Sequence, residues 1–185
     1  YNYFSNPTPV TPLKPVITNQ IEIGYKYYTP TLDVAVIPFY STLKNLSFTD
    51  VFSDGSSENT FANTQNLGIE IDGFARLFEQ MVEISFNGTF QNPTYKNLDA
   101  GSVLAGNVVR RMPKLYFNIS PAVNITKAWR TYISMNYYGK RFQDESNVQT
   151  LPAFSEVGLG TSYQLGKIRF ALDGTNIFNT IGITE

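Results

Sequence analysis

Apolar and polar residues alternate along this chain with a period of two, and the alternation returns in segments of about ten residues separated by tight turns or long polar stretches. Extended backbone sends successive side chains to opposite faces, so each segment predicts a two-faced strand. Eight such segments are present. The first, near Asn19 to Tyr28, sets Ile21, Ile23, Tyr25 and Tyr27 against Glu22, Gly24 and Lys26. In the second, near Leu32 to Leu43, Leu32, Val34, Val36 and Tyr40 oppose Asp33, Ala35 and Ser41, with Pro38 inside the run. The third, near Asn66 to Leu77, alternates Leu67, Ile69 and Ile71 with Gly68, Glu70 and Asp72. The clearest is the fourth, Met81 to Gln91, where Val82, Ile84, Phe86 and Phe90 face away from Glu83, Ser85, Asn87, Thr89 and Gln91. Lys114 to Val123, Trp129 to Gly139, Phe154 to Leu165 and Ile168 to Phe178 complete the set.

The connections fall into two classes that strictly alternate. Short turns are expected at 29–31, 78–80, 124–128 and 166–167, and long polar loops near 44–65, 92–113 and 140–153. All short turns would then lie at one end of the strands. Tyr25, Tyr27 and Tyr28, Trp129, and Tyr137 and Tyr138 gather at strand ends, as the aromatic girdles of membrane barrels do.

Composition narrows the function classes. Lys and Arg number 14 and Asp and Glu 15, a net charge of −1, so no basic excess is available for a nucleic-acid backbone. Charged residues make up only 16% and aromatics reach 15%, where soluble domains average about 25% charged. Cysteine and histidine are both absent, which removes Ser–His and Cys–His nucleophile pairs, imidazole bases and the usual zinc sites. The expectation is a protein that is not an enzyme and has no cofactor. No run of eighteen apolar residues marks a membrane helix, so a membrane crossing would need strands. The chain opens at Tyr1 without a charged leader and apolar run, which predicts a processed product or an excerpt of a longer protein. A soluble sandwich or lipocalin-like barrel would also alternate. The polar face here carries Gly, Ser, Asn and Gln with few lysines, which suits a wet lumen better than a solubilising surface.

Several strings, in order, resemble the barrels of TonB-dependent receptors. Leu13-Lys14-Pro15 with Asn19-Gln20-Ile21-Glu22-Ile23-Gly24-Tyr25-Lys26 is similar to that family's "LKPE…EIGYK" strand, with Val16 where the family has Glu. Asn66-Leu67-Gly68-Ile69-Glu70-Ile71 looks like its "N-x-G-x-E" strand, and Met112-Pro113-Lys114 like its "x-P-K/R" lead-in. Tyr138-Gly139-Lys140-Arg141-Phe142 with Leu151-Pro152-Ala153-Phe154 resembles the motifs around a late outer loop. Gly174-Thr175-Asn176-Ile177-Phe178-Asn179 resembles the "N-L-F-N/D" ending of the penultimate strand.

The resemblance implies an all-β fold, an antiparallel transmembrane β-barrel segment of about eight strands within a larger 22-stranded barrel. Residues 1–185 would form part of one barrel domain, with the final strand, the plug and the TonB box lying outside this sequence. It implies residence in the bacterial outer membrane and uptake of a scarce nutrient such as a siderophore-iron complex. The implied partners are the TonB complex, through a missing N-terminal region, an extracellular small molecule and the lipid bilayer. The alternative is a complete eight-stranded outer-membrane barrel with a structural or adhesive role.

Candidate chemistry is sparse. Glu70 and Asp72 share one face of one strand, where a hydrolase needs carboxylates opposed across a cleft, and read as lumen lining near Arg76. Asp50, Asp54 and Glu58 around Gly55 depart from the EF-hand spacing and read as a solvated outer loop. Gly158-Leu159-Gly160 lacks the third glycine and the helix of a dinucleotide fingerprint and reads as small lumen-facing residues. Arg110-Arg111 and Lys140-Arg141 flank long loops and could attract an anionic ligand at the outer mouth. The expected substrate contacts are therefore Asp50, Asp54, Arg110, Arg111, Lys140 and Arg141, with no metal ligands and no catalytic residue.

Overall fold

The computed structural model describes residues 15–51, 57–98 and 105–183. Eleven strands make up its regular structure: β1 (Ile17–Glu22), β2 (Tyr25–Tyr28), β3 (Leu32–Val51), β4 (Ser57–Leu77), β5 (Val82–Leu98), β6 (Leu115–Asn124), β7 (Trp129–Tyr138), β8 (Arg141–Phe142), β9 (Thr150–Leu151), β10 (Phe154–Leu165) and β11 (Ile168–Gly174). One antiparallel sheet runs β1-β3-β4-β5-β6-β7-β10-β11, with β2 also paired to β3, while β8 and β9 form a hairpin of their own. Each of the eight expected segments is a strand in this meander.

The first is split in two, and Pro38 supplies the reason. Both halves pair with β3 in a single register, Ile21 opposite Tyr40 and Tyr25 opposite Val36. Between them Ile23 donates its N–H to the Pro38 carbonyl at 3.1 Å, but proline has no N–H to return. The ladder is broken there, on the side of β3 that faces the edge strand.

Register keeps like with like across the sheet. Val36, Ile71, Gly88 and Phe117 follow one another across β3, β4, β5 and β6, as do Leu32, Ala75, Ile84 and Pro121. On the opposite face one row reads Ala35, Asp72, Asn87, Asn118, Asn136 and Glu156 from β3 to β10. A slip of one residue anywhere would exchange these faces. The apolar face is bare: Ile21, Leu67, Phe90 and Leu172 are each more than 60% exposed. So broad an uncovered apolar surface requires an apolar environment.

Two sequence expectations need correction. The stretches near 44–65 and 92–113 are not simple loops, because β3, β4 and β5 run for 20, 21 and 17 residues. At about 3.3 Å per residue β4 is about 70 Å long, which even at 45° tilt is more than a bilayer core of about 30 Å needs. The apolar row ends where Tyr40 meets Leu67 and Leu67 meets Asn92, and the hairpin continues beyond it, with Phe61 and Ala62 buried. A bulge between Leu43 and Leu46 marks the passage, with Asn45 in the left-handed region at φ 59°. The aromatic girdle is also thinner than expected. Tyr27 and Tyr137 lie in the apolar rows, but Tyr28 pairs with Asp33 and Tyr138 with Tyr116 on the polar face, as adjacent residues of a strand must.

Among the described residues β1 and β11 do not pair with each other, so the sheet is open. A closed eight-stranded barrel would require that pairing.

Candidate functional site

The polar ends of the long strands carry a closely bonded region. After β5 the backbone folds back on itself. Gly106, at φ +94°, donates to the Tyr95 carbonyl at 2.8 Å, Tyr95 donates to Asn107 at 2.9 Å, and Val109 to Pro93 at 3.0 Å. Glycine is suited to that reversal because it carries no β-carbon to clash at positive φ. Beneath it Ala62, Tyr95 and Val109 form a small buried core with Leu46 and Met112 packed against it. The Tyr95 hydroxyl accepts the Arg110 N–H at 3.2 Å, so even this buried ring has a polar partner.

The β8–β9 hairpin packs against this fold. Asp144 organises its tip by accepting the amides of Gln149 at 2.7 Å and Val148 at 3.2 Å. Partial burial pushes its carboxyl pKa up, but the Gln149 and Val148 amides and the Ser146 hydroxyl outweigh that and hold it below its ordinary value. Asn147, at φ 60°, reaches across to the other loop. Its Oδ1 accepts the Val108 N–H at 2.7 Å and its Nδ2 donates to the Val108 carbonyl at 2.9 Å. Arg110 and Glu145 form an ion pair at 2.8 Å, both largely shielded from solvent.

Under the hairpin lies an aromatic shelf on the polar face. Tyr116 and Tyr138 meet at 5.1 Å, and Tyr138 stacks on Phe154 at 4.7 Å and 14°. The Arg141 guanidinium sits 5.4 Å over the Phe154 ring and donates to the carbonyl of Ile183. Only 3% of Arg141 is exposed.

The structure thus divides the four basic residues singled out in the sequence. Arg110 is engaged with Glu145, and Arg141 is buried between Phe154 and the run after β11. Arg111 and Lys140 are exposed. Both are anchored at Phe142: Arg111 donates its N–H to the Phe142 carbonyl at 2.7 Å, and the Lys140 ammonium lies 5.2 Å from the Phe142 ring centre. Asp54 and the side chain of Asp50 lie outside the described residues; the backbones of Asp50 and Glu58 are paired across β3 and β4. No metal-holding group of His, Cys, Asp and Glu occurs among the described residues. Glu70 and Asp72 are side by side on the polar face of β4, opposite Thr89 and Asn87.

Sequence reasoning missed Tyr95, Asp144, Glu145 and Asn147. The run Asp144-Glu145-Ser146-Asn147 does carry a turn signal, but its partners are about forty residues away in sequence.

At the other end a concavity of about 870 Å³ is lined by residues that include Glu83, Arg130, Ser162, Gln164 and Arg169. Glu83 and Arg130 form an ion pair there.

Residues 1–177 match the model of the TonB-dependent receptor-like β-barrel. The chain belongs to that family. Solved structures of uptake receptors and transporters superpose on it. The ferric yersiniabactin uptake receptor of Yersinia pestis superposes with a TM-score of 0.72 at 16% identity, over 89% of this chain and 25% of that one. The ferric preacinetobactin receptor of Acinetobacter baumannii gives 0.70 at 19%, over 88% and 25%. The unliganded ferric citrate transporter gives 0.72 at 17%, over 88% and 26%. At such identities the likeness is one of fold, and the chain spans about a quarter of the length of these three proteins. No curated protein matches it by sequence.

Proposed function

We propose that this chain is part of the wall and outer mouth of an outer-membrane receptor that takes up a scarce nutrient, a siderophore-iron complex or a similar chelate, with energy delivered through TonB. The observation that carries this reading is the two-faced sheet that ends, on its long-strand side, in an ordered polar platform. The bare apolar rows suit the bilayer, and the rows of Asp, Asn and Glu suit a wet lumen. TonB and the bilayer are the macromolecular partners; the role is transport, and no residue here performs chemistry.

Arg111 and Lys140 are the residues of this stretch proposed to meet the substrate. Two exposed cations on one platform raise the local concentration of an anion and speed its capture. The neighbours' names offer the probes: ferric citrate, ferric yersiniabactin and ferric preacinetobactin. The test is uptake of each by cells carrying the full-length protein, with TonB present or deleted. The expected result is TonB-dependent accumulation of an anionic chelate that falls about tenfold or more in the Arg111→Glu/Lys140→Glu double variant. Uptake independent of TonB would overturn the reading.

A further inference from the structure

The two outer loops, 105–113 and 139–153, are joined by contacts that loops passing over a surface do not need. We propose that they form one rigid body, with Asn147 as the positioning residue that joins them and thereby holds Arg111 and Lys140 in a fixed relation. The proposal rests on the reading of those two cations given above.

The argument begins with the Asn147 amide, which has the donor and acceptor layout of a peptide group. Presented to Val108, it receives that residue's N–H at 2.7 Å and gives its own to the same residue's carbonyl at 2.9 Å. Val108 also bridges to Thr94. It is thus held between β5 on one side and an imitation strand edge on the other. The side chain can reach because residue 147 is left-handed at φ 60°, a conformation asparagine tolerates better than most residues.

Further ties lie on either side of this pair. Asn107 donates to the Glu145 carbonyl at 3.0 Å, Arg110 meets the Glu145 carboxylate at 2.8 Å, and Arg111 donates to Phe142 at 2.7 Å. Of four successive residues of the first loop, Asn107, Val108 and Arg110 are therefore fixed to the second loop or to buried Tyr95, and Val109 donates to the Pro93 carbonyl of β5. Val109, 4% exposed, roots them in the small core. Loops bonded in this way should open together rather than separately.

Three variants of the full-length protein in detergent test this, with heat-dependent gel mobility confirming that the barrel is folded. Hydrogen exchange is followed across 105–112 and 141–149, and a spin-label pair at Ala105→Cys and Val148→Cys reports the distance between the loops. In Asn147→Ala both loops should exchange about tenfold faster, together, and the label distances should broaden, because Val108 loses two partners. Asn147→Gly relieves the backbone but lacks the amide, so it should behave like Asn147→Ala. Asn147→Asp keeps the acceptor and should retain protection of the Val108 N–H. Faster exchange confined to 141–149 would overturn the proposal, as would an Asn147→Gly protein indistinguishable from wild type. These measurements involve no substrate, so a failed uptake assay leaves their outcome unaffected.

Discussion

At Gly160 a β-carbon would stand 2.3 Å from the Tyr132 ring, and Tyr132 is its partner across β7 and β10. The same pairing of a glycine with a facing aromatic recurs at Gly73 with Phe86 and at Gly68 with Phe39. The missing side chain lets the ring lie flat on the neighbouring strand. Gly160→Val should therefore lift Tyr132 and break its 2.6 Å hydrogen bond to Asp173. A loss of about 1–3 kcal/mol is expected, read as a lower temperature for the gel-mobility transition of the full-length protein. Asp144 shows the electrostatic side of the residue scale. Its carboxyl is held below the ordinary value of 3.8, so its contribution to the loop is present above that value and lost as pH falls through the lower, folded one. The amide resonances of Val148 and Gln149 should titrate together with a midpoint below 3.8, and Asp144→Asn should abolish that titration.

Elements were legible where one face is apolar. The alternation through Val82, Ile84 and Phe86 has one sensible reading, and the strand is where it was expected. The hairpin beyond Leu43 was read as loop because residues 53–60 and 63–66 are polar or glycine with no alternation, although Phe61 and Ala62 between them are buried. Tyr137 and Tyr138 were grouped by composition, whereas the pleat sends them apart: Tyr137 stacks on Phe117 at 5.1 Å, and Tyr138 joins the shelf beneath Arg141. Of the proposed site, the charge can be seen in the sequence and the geometry cannot. Arg111 and Lys140 announce themselves in the sequence, but the role of Asn147 exists only once Val108 has been brought to it. The two faces can be tested strand by strand, since the chain has no cysteine to confuse single substitutions. Cysteines at Ile84, Phe86, Leu159 and Phe170 should resist water-confined reagents in membranes, and those at Glu83, Ser85, Asn87 and Gln164 should react. Equal reaction of both sets would end the two-faced reading.

On the scale of the whole molecule, the open sheet governs behaviour. Among the described residues β1 and β11 each present an edge without a partner strand, and in hydrocarbon each unpaired N–H or C=O group there costs several kcal/mol. Residues 1–185 expressed alone should therefore fail to give a protease-resistant monomer in micelles; a compact monomer with heat-dependent mobility would revive the small closed barrel. The β3–β4 hairpin has a different consequence. β5 stays paired to β4 as far as Ala62 opposite Leu98; beyond that point the hairpin is a ribbon of two strands held at one end, and an isolated two-stranded ribbon has little stiffness of its own. Any object pressing on that side turns the ribbon into a lever arm. The bending moment is greatest at the root, where Leu46 faces Ala62 just past the bulge between Leu43 and Leu46 that interrupts the ladder. The ribbon therefore has its fulcrum beyond the apolar band, at the small core around Ala62 and Tyr95 where the support of β5 ends, and a sideways push is taken up as rotation there, with little torque passed to the wall below.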